Sequence, residues 1–128
     1  MKNNTLPAVL ISLLTLSVFS FSLCSYAGEA DVVDVSVSKS GNDLYRFSVT
    51  VLHEDTGWDH YANKWEVLDP QGNVLSTRVL HHPHVGEQPF TRSLSGVRIE
   101  SGIKSVIVRA HDLVHGYGGK SFTINLPD

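Results

Sequence analysis

From residue 33 to residue 126, apolar and polar side chains alternate with a period of two, the pattern of strands that bury one face. Val33, Val35 and Val37 share one face, against Asp34, Ser36 and Ser38 on the other. Beyond the turn residues Ser40-Gly41-Asn42-Asp43, the side chains of Tyr45, Phe47, Val49 and Val51 are expected inward, with Arg46, Ser48 and Thr50 outward. Residues 64–68 continue the alternation, with Trp65 and Val67 inward. Asp69-Pro70-Gln71-Gly72 then carries Asp, Pro and Gly at the first, second and fourth positions of a tight turn. Further strands are expected over 73–80, over 90–99 with a kink near Gly96, over 105–110 with Val106, Val108 and Ala110 inward, and over 121–126 with Phe122, Ile124 and Leu126 on one face. No window carries the 3.6-residue period of an amphipathic helix. Seven short strands with turn residues between them, in about 100 residues, predict an all-β fold, an antiparallel β-sandwich.

The first 27 residues follow a different pattern. Lys2 supplies a positive start, an apolar stretch runs from about Leu6 to Leu23, and Ser25-Tyr26-Ala27 places small residues at the exit. These are the three parts of a secretory signal. Ser12, Thr15, Ser17, Ser20 and Ser22 dilute the stretch and no block of Lys or Arg follows it, which argues against a membrane span. The expectation is cleavage after Ala27, leaving a single domain over 28–128 in the periplasm or secreted, with no membrane association once the signal is gone. Lipid attachment at Cys24 is disfavoured, because Leu23 stands where a small residue is usual. Cleavage would remove the one Cys and the one Met, so the mature domain must hold together by apolar burial without a disulfide. The net charge of the whole chain is −3, and one unit more negative without Lys2. With no basic run or stripe, nucleic acid is not expected as a partner.

Trp65 in the third expected strand, the V-x-V-x-A-x-D run from Val106 to Asp112 and the succession of strands resemble immunoglobulin-like and fibronectin-III-like domains. More narrowly, TGWDHYANKWEVLD, HPHVGEQPFTRSL and RAHDLVHGYGG resemble a group of small uncharacterised secreted bacterial proteins. That resemblance covers nearly the whole mature chain. It implies an immunoglobulin-like sandwich without the paired cysteines of antibody domains, and it implies no particular activity.

The histidines carry the functional expectation. Successive antiparallel strands reverse direction, so their connections alternate between the two ends of the fold. His53 and His60, then His81, His82 and His84, then His111 and His115 belong to three connections that share one end. Trp58, Tyr61 and Tyr117 join them there, with Glu54, Asp55, Asp59, Glu87 and Asp112. Imidazole with nearby carboxylate suits borderline divalent metals, and the absence of a mature thiol disfavours Cu(I) and iron–sulfur chemistry. The candidate metal ligands are His60, His82, His84, His111 and His115, for Zn(II) or Cu(II), with affinity expected to fall as pH drops through about 6.5, the ordinary imidazole value. An alternative uses the same loops as a contact surface for a protein or small ligand, with Trp58, Tyr61 and Tyr117 as contacts. A third reading has the loops hydrogen-bonding only one another. His53 continues the inward row of its strand, so burial at the end of the core is expected for it. Asp112 is expected to cap its own turn. The chain has no nucleophile elbow, and GYGGK lacks the spacing of a phosphate loop, so the expectation leans against an enzyme.

Overall fold

The computed structural model describes residues 28–128; the expected signal and its cleavage point lie outside them. Among the described residues seven strands form and none is helical. They are β1 (Asp31–Gly41), β2 (Leu44–Leu52), β3 (Ala62–Leu68), β4 (Val74–Val79), β5 (Phe90–Arg98), β6 (Ser105–Asp112) and β7 (Phe122–Asn125). One sheet runs in the order β1-β2-β5 and the other β4-β3-β6-β7. Every pairing is antiparallel.

The period-two pattern accounts for the core. Tyr45, Phe47, Val49 and Val51 of β2 are buried, as are Trp65 and Val67 of β3 and Val106, Val108 and Ala110 of β6. These residues of both sheets join a single buried cluster, against which Phe122, Ile124 and Leu126 also pack. The neighbours of the inward positions in β2 and β6 are half-exposed or exposed, as a sheet with one wet face requires.

Two of the departures from simple alternation bear on the sequence reading. In β1 the register slips between Val32 and Asp34, inserting an extra residue. Val32 therefore points into the core at 3 % exposure and Val33, expected inward, is 42 % exposed. Two adjacent valines look alike to a period-two reading, and only the bulge decides which of them faces in. In β5 the kink expected near Gly96 is a second bulge. Tyr45 pairs Val97 and Phe47 pairs Leu94, with Gly96 at φ 69°, a conformation that side-chain-bearing residues adopt only under strain.

The turns 69–72 and 100–103 are closed by the backbone bonds Gly72 N–H to Asp69 O and Ile103 N–H to Glu100 O, the first backed by Asp69 N–H to Asn73 O. At the other end of the strands, the connections β2–β3, β4–β5 and β6–β7 are longer and bond to one another. The segment leading into β1 lies against the last of them. Lys120 N–H donates to Asp31 Oδ1 and Val32 N–H to Lys120 O, while a Cβ at Gly119 would run into the Ala30 carbonyl. Gly28 and Glu29 share a cleft there with His53 and Glu54, whereas Pro127 and Asp128 line a cleft with Asp43 and Ser101.

Candidate functional site

The inward rows of β2 and β6, one in each sheet, both continue past their last apolar residue. After Val49 and Val51 comes His53; after Val108 and Ala110 comes Asp112. Both side chains have no exposed surface. The core therefore ends, at the long-loop end, in an imidazole and a carboxylate that face each other, with His53 Nε2 4.0 Å from Asp112 Oδ2.

The β2–β3 loop adds a second imidazole. Thr56 N–H donates to His60 O and His60 N–H to Gly57 O, a tight turn that carries the His60 ring back over the strand ends. His60 Nε2 lies 3.2 Å from His53 Nε2 and 3.1 Å from Asp112 Oδ1. His53, His60 and Asp112 thus offer three ligand-type atoms within 4.8 Å of one another. His115, three residues after Asp112, brings its Nδ1 to 3.2 Å from Asp112 Oδ1.

Asp55 fixes the orientation of this group from behind. Its Oδ1 accepts from His53 Nδ1–H and from the Ala62 amide at 2.9 Å, and its Oδ2 accepts from the His84 amide at 2.7 Å. A carboxylate only accepts hydrogen bonds, so His53 Nδ1 carries a proton, and whenever the ring is neutral its Nε2 lone pair faces His60 and Asp112. Gln88 completes the frame: its side-chain oxygen accepts from the His53 amide and its NH2 donates to His84 O. The three loops are one hydrogen-bonded unit.

Asp112 combines two roles. Its Oδ1 accepts from the amides of Val114 and His115, the turn cap expected of it. Burial alone would raise the Asp112 carboxyl, but those two amides and the neighbouring His53 and His115 outweigh it and hold it below the ordinary aspartate range. The other oxygen, Oδ2, is buried with no hydrogen-bond partner among the described residues. A buried anionic lone pair without a donor is costly in a folded protein unless something supplies the missing positive charge.

The remaining expected ligands stand elsewhere. His84 is stacked flat on Phe90, with ring centroids 3.9 Å apart, and its Nε2 accepts from Arg92. Burial first, then Arg92 and His82, push the His84 imidazole below its usual value. His82 is exposed, its ring 4.6 Å from that of His84. His111 bonds Asn63 through Nδ1 and meets the edge of Tyr117. Its imidazole is also held low, by burial and then by Lys64. Of the contact candidates, Trp58 is 66 % exposed and meets Tyr61 edge to face. Tyr117 folds over the outer face of β3 and β6, donating to Glu66 Oε1 at 2.7 Å under the Arg109 guanidinium.

His53 and Asp112 were not among the ligands expected from the sequence. Each had a sufficient local explanation, as a core-end histidine or a turn cap, and both explanations hold. The signal lay in the pair: inward rows from two different sheets end, at the same end of the fold, in residues that ligate metals.

Against known proteins, a protein from Halomicrobium mukohataei described as "Putative lipoprotein" is 42 % identical over 97 residues, covering 76 % of this chain and 47 % of that one. The chain thus spans about half the length of the curated relative it matches. No family model matches the chain. No solved structure matches it either.

Proposed function

We propose that this protein binds a borderline divalent transition metal, Zn(II) or Cu(II), through His53 Nε2, His60 Nε2 and the Asp112 carboxylate. One observation carries the reading: two imidazole nitrogens face each other at 3.2 Å beside a buried carboxylate oxygen that has no partner. In a tetrahedral centre with metal–nitrogen bonds of about 2.0–2.1 Å, neighbouring ligand atoms stand about 3.3 Å apart. The spacings from His60 Nε2, 3.2 Å to His53 Nε2 and 3.1 Å to Asp112 Oδ1, match that edge, while the partnerless Oδ2 stands wider, 4.0 Å from His53 Nε2. The Asp55 contact to His53 is the carboxylate–histidine support that metal-binding imidazoles use to fix their tautomer and raise their basicity. The donor set is nitrogen and oxygen, which suits Zn(II) and Cu(II).

The setting proposed for this site is an exported domain with an immunoglobulin-like sandwich. The strand order β1-β2-β5 against β4-β3-β6-β7 supports the sandwich. The signal-like residues 1–27 and the description of the Halomicrobium relative support export, to the periplasm or beyond. A second reading, the loops as a contact surface, is favoured by the exposure of Trp58, Val85, Leu113 and Val114 on the same three connections. Calorimetric titration of untagged protein with Zn(II) and Cu(II) decides between them. Saturable 1:1 binding that is lost in His53→Ala and Asp112→Asn supports the metal reading. No binding at neutral pH leaves the chain Asp55–His53–His60–Asp112 as a hydrogen-bonded closure of the core and the contact surface as the better reading.

A further inference from the structure

We infer that His115 is the fourth ligand of this centre, delivered through Nδ1 by the β6–β7 loop. The inference rests on the metal reading above and goes beyond its three ligands. His115 Nδ1 stands 3.2 Å from Asp112 Oδ1, again the edge of a tetrahedral ligand set. Its ring centroid is 5.1 Å from that of His60, tilted at 57°, and both rings reach the same Asp112 oxygen, Oδ1. From strand end to loop, the contacts His53–His60, His60–Asp112 and Asp112–His115 form a chain of 3.2, 3.1 and 3.2 Å; the atoms within 4.8 Å of one another are those of His53, His60 and Asp112, so rotation of the His115 ring must complete the set.

The backbone holds His115 in this place. Asp112 N–H donates to Gly116 O and Gly116 N–H to Asp112 O, both at 3.1 Å, closing a small ring that contains His115. Gly116, at φ 66°, supplies the left-handed residue this closure needs. The His115 amide is itself bonded to Asp112 Oδ1 at 2.8 Å. What remains free is rotation of the side chain alone. One residue beyond the closure, Tyr117 anchors the loop to Glu66 on the outer face of the sheet.

The other loop histidines are committed elsewhere: His84 Nε2 to Arg92, and His111 Nδ1 to Asn63. His115 has no ring contact other than Asp112 within hydrogen-bonding distance among the described residues. Its side chain is 30 % exposed, against 14 % for His60 and none for His53. The proposed centre is therefore closed from the core outward. Two protein ligands sit at the end of the core, one lies over them, and His115 is the outermost, the ligand whose rotation would admit or release the ion.

The test uses Zn(II) titration and the visible absorption of the Co(II)-loaded protein, in wild type, His115→Ala and His111→Ala. His115→Ala alters an exposed ring and leaves the backbone closure intact, so its fold is checked simply by circular dichroism. The expected result is an intense four-coordinate Co(II) spectrum in wild type and in His111→Ala. In His115→Ala it should collapse to the weak bands of a higher-coordinate, water-bearing ion, with affinity lower by 10-fold or more. Affinity alone does not decide, because loss of a residue that merely supports a ligand typically costs about 10- to 100-fold. A His115→Ala spectrum of unchanged shape and intensity, whatever the affinity, would show that His115 acts only through Asp112 and overturns the inference while leaving the three-ligand site standing. Wild-type protein that takes up neither metal overturns the underlying reading instead.

Discussion

Both oxygens of Asp55 are occupied by N–H donors, one of them an imidazole and two of them amides. Asp55→Asn puts an NH2 group where one of those donors points, so at least one contact becomes donor against donor. The expected loss is about 1–3 kcal/mol of stability, read by urea unfolding, with metal affinity lower by about 10- to 100-fold. A neutral result on both would show that the loops do not depend on this hub. Trp65 offers the reverse case. Its indole is fully buried and its N–H has no partner among the described residues. Trp65→Ala should cost about 3–5 kcal/mol through the cavity it leaves. Trp65→Phe should cost far less, because it keeps most of the packing and deletes an unpaired polar group. Glu66 gives a pH signature. Burial would raise its carboxyl, but the Tyr117 O–H and the Arg109 guanidinium outweigh burial and hold it below the ordinary glutamate value of 4.5. A carboxyl lowered on folding stabilises the protein above its unfolded value, and that contribution disappears as pH falls through the folded one. Stability should therefore decline below about pH 4.5, and Glu66→Gln should flatten that decline in thermal melts taken across the range.

The loop 113–119, between β6 and β7, is held by the Asp112–Gly116 closure and by Tyr117 on Glu66. Tyr117→Phe removes a hydrogen bond to a charged acceptor, worth about 1.5–3 kcal/mol. The effect should be local, as faster amide exchange at Val114 and His115 while the amides of Val106 and Val108 stay protected. Equal acceleration in the strand would contradict the picture of a separately anchored loop. The strands themselves were legible in the sequence because burying one face of a sheet imposes the period of two, as in Tyr45 to Val51 and Val106 to Ala110. The swap of Val32 for Val33 was not legible, since a bulge is fixed by pairing with β2, which lies far along the chain. The gathering of the histidine loops at one end was legible from strand parity alone. Which side chains converge there was not. His84 is drawn off by Phe90 and Arg92, and His111 by Asn63, all partners supplied by other elements.

His53 directly follows β2 of the sheet β1-β2-β5 and Asp112 ends β6 of the sheet β4-β3-β6-β7, so an ion held between them would join the two halves of the molecule. Ligand that binds only the folded state adds stability by mass action, about 2.7 kcal/mol at a hundred times Kd. The melting temperature should rise with added Zn(II), return on chelation, and stay insensitive to Zn(II) in Asp112→Asn. The two ends of the described residues bear on how any such measurement is made. Gly28 lies in a cleft with His53 and Glu54, while Asp128 lies beside Asp43, at the far end of β2. The nine residues of β2 between them span about 30 Å. Whatever is fused ahead of Gly28 leaves the domain next to the histidines, and a polyhistidine tag placed there would compete for the very ion under study. The same tag after Asp128 would be carried on the side facing away. In an assay on a solid support, attachment through the N-terminal side would turn the histidine loops toward the surface, and attachment through the C-terminal side would leave them open to the solution.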